Sequence, residues 1–150
     1  MFFHDYNNRK AGIYKMPDIS VLIIDDEPSI LKAVSMTLKQ EHIAVTCADN
    51  GTLALDILKA NTFDLILLDI IMPKLDGIGV LERLQTEDLS KRPIIIMVSA
   101  MGQENVCEEA MELGASYFIL KPFDLRTIIK QIKQAKIKQQ IPERPFVSVP

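Results

Sequence analysis

The sequence predicts a doubly wound α/β domain built on a five-stranded parallel sheet. Short apolar runs alternate along the chain with amphipathic segments whose apolar residues recur at helical spacing. Three of these runs are apolar at every position, which indicates strands that are covered on both faces, as in a parallel sheet. Strict alternation of strand and helix requires right-handed crossovers, and these place helices on both sides of the sheet.

The strands are predicted from apolar runs that are bounded by turn-forming or polar residues. We place them at Ser20–Ile24, Ala44–Cys47, Leu65–Leu68, Ile94–Val98 and Tyr117–Leu120. The fourth run is typical, because it is wholly apolar and lies between Pro93 and Ser99.

Each strand is followed by a segment with the apolar periodicity of a helix. The residues that mark the five helices in order are Leu31, Val34 and Leu38; Leu53, Ile57 and Leu58; Ile78, Leu81 and Leu84; Val106, Ala110, Met111 and Leu113; and Leu125, Ile128, Ile129 and Ile132. Pro28 suits a first helical turn, Gly114 suits the position after a helix, and Asp124 suits an N-cap. The simplest arrangement of these units is a flavodoxin-like (βα)5 sandwich.

The chain of 150 residues is 48% hydrophobic, which fits one compact domain with a core of its own. Residues 1–17 form a predicted N-terminal extension, because Met1 to Lys15 show no regular pattern. We place the main domain at residues 18–136. Residues 137–150 are predicted to be a tail or linker, because lysine, glutamine and then proline dominate there.

Composition and charge exclude several classes of protein. The formal net charge is −3, so the chain offers no overall basic field for nucleic acid, and we expect no direct contact with it. Cys47 and Cys107 lie far apart without metal-binding spacing. No run resembles a signal peptide or a membrane span, so we expect a cytoplasmic protein with reduced thiols and no membrane contact.

Four of the five predicted strands are followed by polar side chains at the point where the strand ends. Asp25 and Asp26 follow the first strand, Asp69 the third, Ser99 the fourth and Lys121 the fifth. Because open parallel sheets bind ligands outside the carboxyl ends of their strands, we expect these side chains to converge at one edge.

The residue types at this edge indicate phosphoryl chemistry. Three converging carboxylates repel one another and stay ionised most easily around a cation. The predicted ligands are all oxygens, so a hard cation is indicated, and Mg2+ suits few carboxylates together with a phosphoryl group. Asp69 is the candidate nucleophile, while Lys121 and Ser99 can contact phosphoryl oxygens.

Each of these residues also has a plainer interpretation when it is taken alone. The acidic pair resembles a helix N-cap, Ser99 a turn residue and Lys121 a surface charge before Pro122. Asp69 is harder to explain this way, because a carboxylate directly after a buried strand is costly without a partner. Their joint position at four strand ends favours the functional interpretation.

Four segments of the chain carry a family resemblance. They are Leu22–Pro28, Leu68–Gly77, Val98–Ala100 and Leu120–Phe123, and in this order they resemble the signature blocks of response regulator receiver domains of the CheY-like superfamily. The resemblance spans about Ile19 to Ala135. The run Leu113–Asp124 further resembles the receivers of sporulation master response regulators.

The resemblance implies a role in two-component or phosphorelay signalling. Asp69 would accept a phosphoryl group from a histidine kinase or a histidine phosphotransfer protein. Asp26, Asp69 and the backbone carbonyl of Ile71 would bind Mg2+ directly, and Asp25 would act largely through water. The domain would catalyse only its own phosphorylation and dephosphorylation, and would not otherwise be an enzyme.

The resemblance also implies a conformational switch. Ser99 would move toward the phosphorylated aspartate, and Phe118 occupies the place of the aromatic switch residue. The surface of the fourth helix, fifth strand and fifth helix would then change, with homodimerisation on phosphorylation as one outcome. The family further suggests a cis peptide bond between Lys121 and Pro122.

Three other functions are weighed against this one. A pseudo-receiver would use the same fold only as an interaction surface. A phosphohydrolase of the haloacid dehalogenase type would need its aspartate pair in a DxD arrangement after the first strand, whereas Asp25 and Asp26 are adjacent. A flavin-binding module would need a glycine- or hydroxyl-rich phosphate loop after the first strand, and the sequence shows none there.

Overall fold

The computed structural model describes residues 18–100 and 104–140, and strands and helices alternate throughout this part of the chain. The strands are β1 Ser20–Ile24, β2 Ala44–Ala48, β3 Leu65–Asp69, β4 Ile94–Ala100 and β5 Tyr117–Lys121. The helices are α1 Pro28–Gln40, α2 Gly51–Ala60, α3 Gly77–Thr86, α4 Glu104–Glu112 and α5 Leu125–Gln140. The predicted extension at residues 1–17 and tail residues 141–150 lie outside the described residues.

All five predicted strands are confirmed, and each begins at the predicted residue. Four of them continue one or two residues further than predicted, so that Asp69, Ser99 and Lys121 belong to strands rather than to the loops that follow. A polar side chain does not interrupt the extended backbone when its neighbours on the adjacent strand still pair with it. Asp69, for example, is aligned with Val98 of β4.

The strands form one parallel sheet in the order β2-β1-β3-β4-β5. This order confirms the predicted flavodoxin-like (βα)5 fold. The central strand β3 is buried at every position, as expected for a strand with helices on both faces.

The two faces of the sheet bury separate hydrophobic clusters. Helices α2, α3 and α4 cover one face, where Leu55, Leu81 and Ala110 are buried. Helices α1 and α5 cover the other face, where Leu38 and Ile132 are buried. Each fully buried Leu or Ile contributes about 1.5–3 kcal/mol through removal of apolar surface from water. These clusters fix the helices on the sheet and thereby fix the loops at its carboxyl edge.

The helix ends follow the local sequence signals. Pro28 is the first residue of α1. The Asp124 carboxylate accepts a hydrogen bond of 2.8 Å from the N–H of Arg126, as predicted for the residue that caps α5. Gly114 adopts a positive φ of 106° after α4, which only glycine does at little cost.

Helix α5 continues to Gln140, so residues 137–140, which the sequence placed in the tail, are helical. Lysine and glutamine are good helix formers, and the change in composition after Ala135 therefore does not end the helix. Within residues 18–100 and 104–140, no helix combines the length and apolar character that crossing a membrane requires.

Candidate functional site

The carboxyl edge of the sheet brings the predicted polar residues together. Asp25 follows β1 directly, Asp69 ends β3, Ser99 is the last residue but one of β4, and Lys121 ends β5. The order of the strands makes β1 and β4 the two neighbours of β3. The acceptor candidate Asp69 therefore lies at the centre of the edge, with other polar residues on both sides.

Three carboxylates form a cluster at this edge. Asp25, Asp26 and Asp69 each offer an oxygen atom within 4.8 Å of the others. Asp25 and Asp69 are buried, with 3% and 4% of their surfaces exposed, whereas Asp26 is more open to solvent. An all-oxygen donor set with an open side fits a hard divalent cation that retains water ligands.

Lys121 balances part of this negative charge. Its Nζ lies 3.1 Å from Asp25 Oδ2, 3.3 Å from Asp69 Oδ2 and 3.3 Å from Glu27 Oε1. Burial alone would lower the pKa of Lys121, but the hydrogen bond to Asp25 and the charges of Asp69 and Asp25 outweigh burial and raise it. Lys121 is therefore held as a cation among the carboxylates.

The pKa of Asp69 is raised, although Lys121 lies close to its carboxylate. Burial and, to a smaller extent, the charge of Asp25 raise the pKa of Asp69 to about 6, although Lys121 and the backbone N–H of Ile71 oppose this rise. The Ile71 N–H donates to Asp69 Oδ1 at 3.4 Å, which is a long hydrogen bond. The positive charge of Lys121 therefore compensates the negative charge of Asp69 only in part.

Ser99 is buried at the carboxyl end of β4. Only 1% of its surface is exposed, and Oγ makes no hydrogen bond to any of the described residues. A buried hydroxyl in this condition costs free energy, so its position favours a role in contacting a group that arrives at the site. Because Asp69 pairs with Val98, Ser99 lies one residue beyond the acceptor on the adjacent strand.

Two further predicted residues, Phe118 and Ile71, lie within three positions of Lys121 and Asp69 in the sequence. Phe118 is half-buried on β5, packs against the cluster under α2, α3 and α4, and aligns with Met97 of β4. Ile71, two residues after Asp69, has a side chain that is 56% exposed. The predicted cis peptide bond between Lys121 and Pro122 is confirmed.

Two acidic residues at the edges of the sheet, Glu27 and Asp64, form ion pairs although neither was among the predicted site residues. Glu27 contacts Lys121 at the carboxyl edge, although it was only quoted as part of a motif. Asp64 lies at the opposite edge, directly before β3. A carboxylate between Phe63 and a wholly apolar strand is itself a signal, because burial in such a position requires partners.

Asp64 has such partners on three other segments of the chain. Its Oδ2 accepts hydrogen bonds from the N–H of Ser20 at 2.9 Å and from its hydroxyl at 3.2 Å. Its Oδ1 accepts from Lys136 Nζ at 2.8 Å and from the ammonium of Lys91. Burial tends to raise the pKa of Asp64, but the bonds from Lys136, Lys91 and Ser20 outweigh burial and hold it well below its usual range.

A cavity of about 690 Å³ also lies at this opposite edge, between the loop after α2 and the loop after α3. Lys59, Asn61, Asp88 and Lys91 are among its lining residues, and it includes none of the predicted site residues. Because the groups with catalytic potential meet at the other edge, the size of this cavity does not make it the functional site.

Comparison with protein families gives one match that spans most of the chain. The family described as response regulator receiver domain matches residues 21–133. The matched segment lies within the domain predicted at residues 18–136 and includes each of the predicted site residues.

Solved structures with the same fold agree with this match. A CheY-like response regulator receiver domain protein from Methanospirillum hungatei is 27% identical, with a TM-score of 0.77, over 83% of this chain and 98% of its own. The chemotaxis protein CheY4 of Vibrio cholerae is 28% identical, with a TM-score of 0.74, over 79% and 99%. Full-length FixJ of B. japonicum is 27% identical, with a TM-score of 0.74, over 83% and 61%. The closer resemblance to receivers of sporulation master regulators stays a prediction.

Proposed function

Because the chain belongs to the response regulator receiver domain family, we propose that Asp69 is the phosphoacceptor of a two-component or phosphorelay pathway. Receiver domains are signalling domains of such pathways. The observation that carries the proposal is the placement of Asp69 beside Asp25 and within 3.3 Å of the Lys121 ammonium, at the carboxyl edge of the sheet. The pseudo-receiver interpretation is not favoured, because the acidic pair, acceptor, hydroxyl and lysine are all present at this edge.

The proposed step is a transfer between two side chains. A carboxylate oxygen of Asp69 attacks the phosphorus of a phosphohistidine on a histidine kinase or a histidine phosphotransfer protein. A P–O bond forms, the P–N bond breaks, and the departing imidazole nitrogen takes up a proton. A pKa of about 6 leaves most Asp69 side chains ionised, and so nucleophilic, at neutral pH.

The donor atoms at the site fit a Mg2+ ion. We expect Asp26, Asp69 and the carbonyl of Ile71 to hold it directly, and Asp25 largely through water. When bound, the ion would neutralise charge on the transferring phosphoryl group. Lys121 would pair with one phosphoryl oxygen as a point charge, and the buried hydroxyl of Ser99 would donate to another.

The phosphoryl group would act as a switch through its charge. It adds about −1.5 to −2 charges beside Lys121 and Ser99, which would draw both inward and shift the balance between two conformations of the domain. The predicted two-state loop after Ser99 falls largely on residues 101–103, outside the described residues. Phe118 on β5 would transmit this change to the surface of α4, β5 and α5. Apolar side chains are exposed there, including Met111 at 48% and Leu120 at 55%.

The charges of this surface support a second copy of the chain as one partner. Helix α4 carries acidic residues without basic ones, and α5 carries basic residues without acidic ones. Two copies can therefore bring opposite charges together by placing α4 of each against α5 of the other. We expect such a homodimer, or an output target, to bind the phosphorylated form in the cytoplasm, with no direct contact of this chain to nucleic acid.

The experiment that tests the proposal is phosphorylation by a small donor. The purified protein is incubated with Mg2+ and acetyl phosphate, and its intact mass is followed alongside Asp69→Asn. We use Asp56→Asn, at an exposed acid on α2, as the matched control. The wild type and the control should each gain one phosphoryl group, and Asp69→Asn should gain none. A wild type that gains none would contradict the proposal and favour the pseudo-receiver interpretation.

A further inference from the structure

Two glycines, each the first residue of a helix, lie against the backbone around the loop that follows Asp69. Gly51 begins α2 and Gly77 begins α3, and both are buried. Neither has the left-handed backbone conformation that favours glycine. Their identity therefore requires another explanation, which their contacts supply.

Gly77 lies against the end of the acceptor strand. A Cβ atom at this position would overlap the carbonyl oxygen of Asp69 and would stand 2.8 Å from the Cα of Ile70. All of these neighbours are backbone atoms, which cannot rotate away as a side chain can. The N–H of Gly77 also donates to the carbonyl of Ile70 at 2.8 Å. Helix α3 can approach the strand this closely only because residue 77 has no side chain.

Gly51 lies against the other end of the same loop. A Cβ atom here would stand 2.8 Å from the carbonyl oxygen of Leu75 and 2.8 Å from Cγ2 of Val80. Real Cβ atoms essentially never have neighbours nearer than 3.0 Å, so an alanine would push the backbone of Leu75. This contact connects α2, which holds none of the predicted site residues, to the loop beside the acceptor.

The loop between these two contacts, residues 70–76, carries groups that the proposed reaction uses. The N–H of Ile71 donates to Asp69 Oδ1, and the carbonyl of Ile71 is a proposed ligand of Mg2+. We propose that Gly51 and Gly77 are positioning residues. They fix the backbone of this loop and thereby hold the Asp69 carboxylate and the Ile71 carbonyl in a fixed position relative to each other. The inference rests on the proposed function of Asp69.

The test adds one methyl group at each position. Gly51→Ala and Gly77→Ala are compared with Gly79→Ala, a matched control in α3 whose Cβ would meet Cδ1 of Leu75 at 2.5 Å, the mobile end of a side chain. The initial rate of phosphorylation by acetyl phosphate, the affinity for Mg2+ by titration, and thermal unfolding by circular dichroism are measured for each variant.

We expect Gly51→Ala and Gly77→Ala to be phosphorylated about ten- to a hundredfold more slowly than wild type, since small misplacements of reacting groups have effects of this size. Their affinity for Mg2+ should fall as well, while both remain folded at the assay temperature. Gly79→Ala should match the wild type in rate and in affinity. The change in Mg2+ affinity distinguishes positioning from a general loss of stability.

The outcomes separate this inference from the function on which it rests. A wild type that takes no phosphoryl group contradicts the proposed function itself. A phosphorylated wild type with Gly51→Ala as fast as Gly79→Ala overturns the positioning role. Restoration of the rate by adding Val80→Ala to Gly51→Ala also overturns it, because the effect would then act through side-chain packing. If neither alanine variant folds, the glycines serve overall stability and the inference is wrong.

Discussion

The two edges of the sheet each bury an aspartate at the corresponding end of β3, and the pKa values of these two aspartates shift in opposite directions. At the edge formed by the amino ends of the strands, here called the amino edge, Asp64 accepts hydrogen bonds from two lysines and from Ser20. Its pKa lies well below the usual range. At the carboxyl edge, Asp69 shares Lys121 with Asp25 and Glu27, and its pKa rises to about 6.

Burial alone therefore does not decide what a carboxylate does. An aspartate whose hydrogen bonds and charge are satisfied within the protein stabilises the fold and has little to offer a ligand. An aspartate whose charge is only partly compensated is stabilised when positive charge arrives, as expected of a site for a metal ion and a phosphoryl group. We therefore assign a structural role to Asp64 and propose the functional role for the carboxyl edge.

The largest expected effect on stability comes from Asp64→Asn. Removing one partner from a buried ionic cluster leaves charges uncompensated, so the free energy of unfolding should fall by about 3 kcal/mol. Because the folded-state pKa of Asp64 is depressed, its contribution is complete above its unfolded pKa and disappears as the pH falls through the folded value. The deficit should therefore be full at neutral pH and shrink below about pH 4. Urea unfolding across this pH range measures it.

The matched control for Asp64→Asn is Glu41→Gln. Glu41 pairs with Lys133 at 2.8 Å, but both side chains are about two-fifths exposed. An exposed pair of this kind contributes about 0–1 kcal/mol. Equal losses of stability in the two variants would contradict the structural role assigned to Asp64.

The next effect concerns stabilisation by Mg2+. Binding to the folded state alone adds about 2.7 kcal/mol to the free energy of unfolding at a hundred times Kd. We expect the melting temperature of the wild type to rise with Mg2+, and that of Asp26→Asn to respond weakly. Glu27→Gln, which leaves the three clustered aspartates intact, serves as the control. A rise of equal size in wild type and Asp26→Asn would place the ion elsewhere.

A smaller effect of opposite sign to that of Asp64→Asn is expected from Asp69→Asn without Mg2+. The folded state holds the proton of Asp69 more tightly than the unfolded state, so the wild type loses stability as the pH rises from about 4 through about 6. At pH 7 the substitution should raise the free energy of unfolding by on the order of 1–2 kcal/mol. Near pH 3 the gain should vanish. A loss of stability at pH 7 would show that Asp69 is satisfied in the way that Asp64 is.

The sequence could predict the strands, the helices and the edge at which the polar residues meet, but it could not predict where each strand ends. Hydrophobic periodicity specified the strands and helices, and the geometry of a parallel sheet placed Asp25, Asp69 and Lys121 at one edge. Strand ends were less accurate, because Asp69 and Ser99 keep an extended backbone although they are polar. Periodicity carries no information about such endpoints.

The contacts of Asp64 could not be predicted in the same way. Lys136 lies 72 residues away on α5, and Lys91 belongs to a loop, so neither shares a pattern with Asp64. Pairing between long, flexible lysine side chains and a buried acid depends on where helix α5 packs in three dimensions. The proximity of Gly51 to Leu75 is equally invisible in the sequence, because it joins the start of one helix to the backbone of a distant loop.

The most direct test of the contrast between the two edges locates the phosphoryl group on the chain. After phosphorylation by acetyl phosphate with Mg2+, borohydride reduces an aspartyl phosphate to homoserine, and peptide mass spectrometry identifies the altered residue. We predict homoserine at position 69, with Asp64, Asp25 and Asp26 unchanged. Homoserine at position 64, or at either member of the acidic pair in place of position 69, would contradict the assignment of Asp69 as the acceptor.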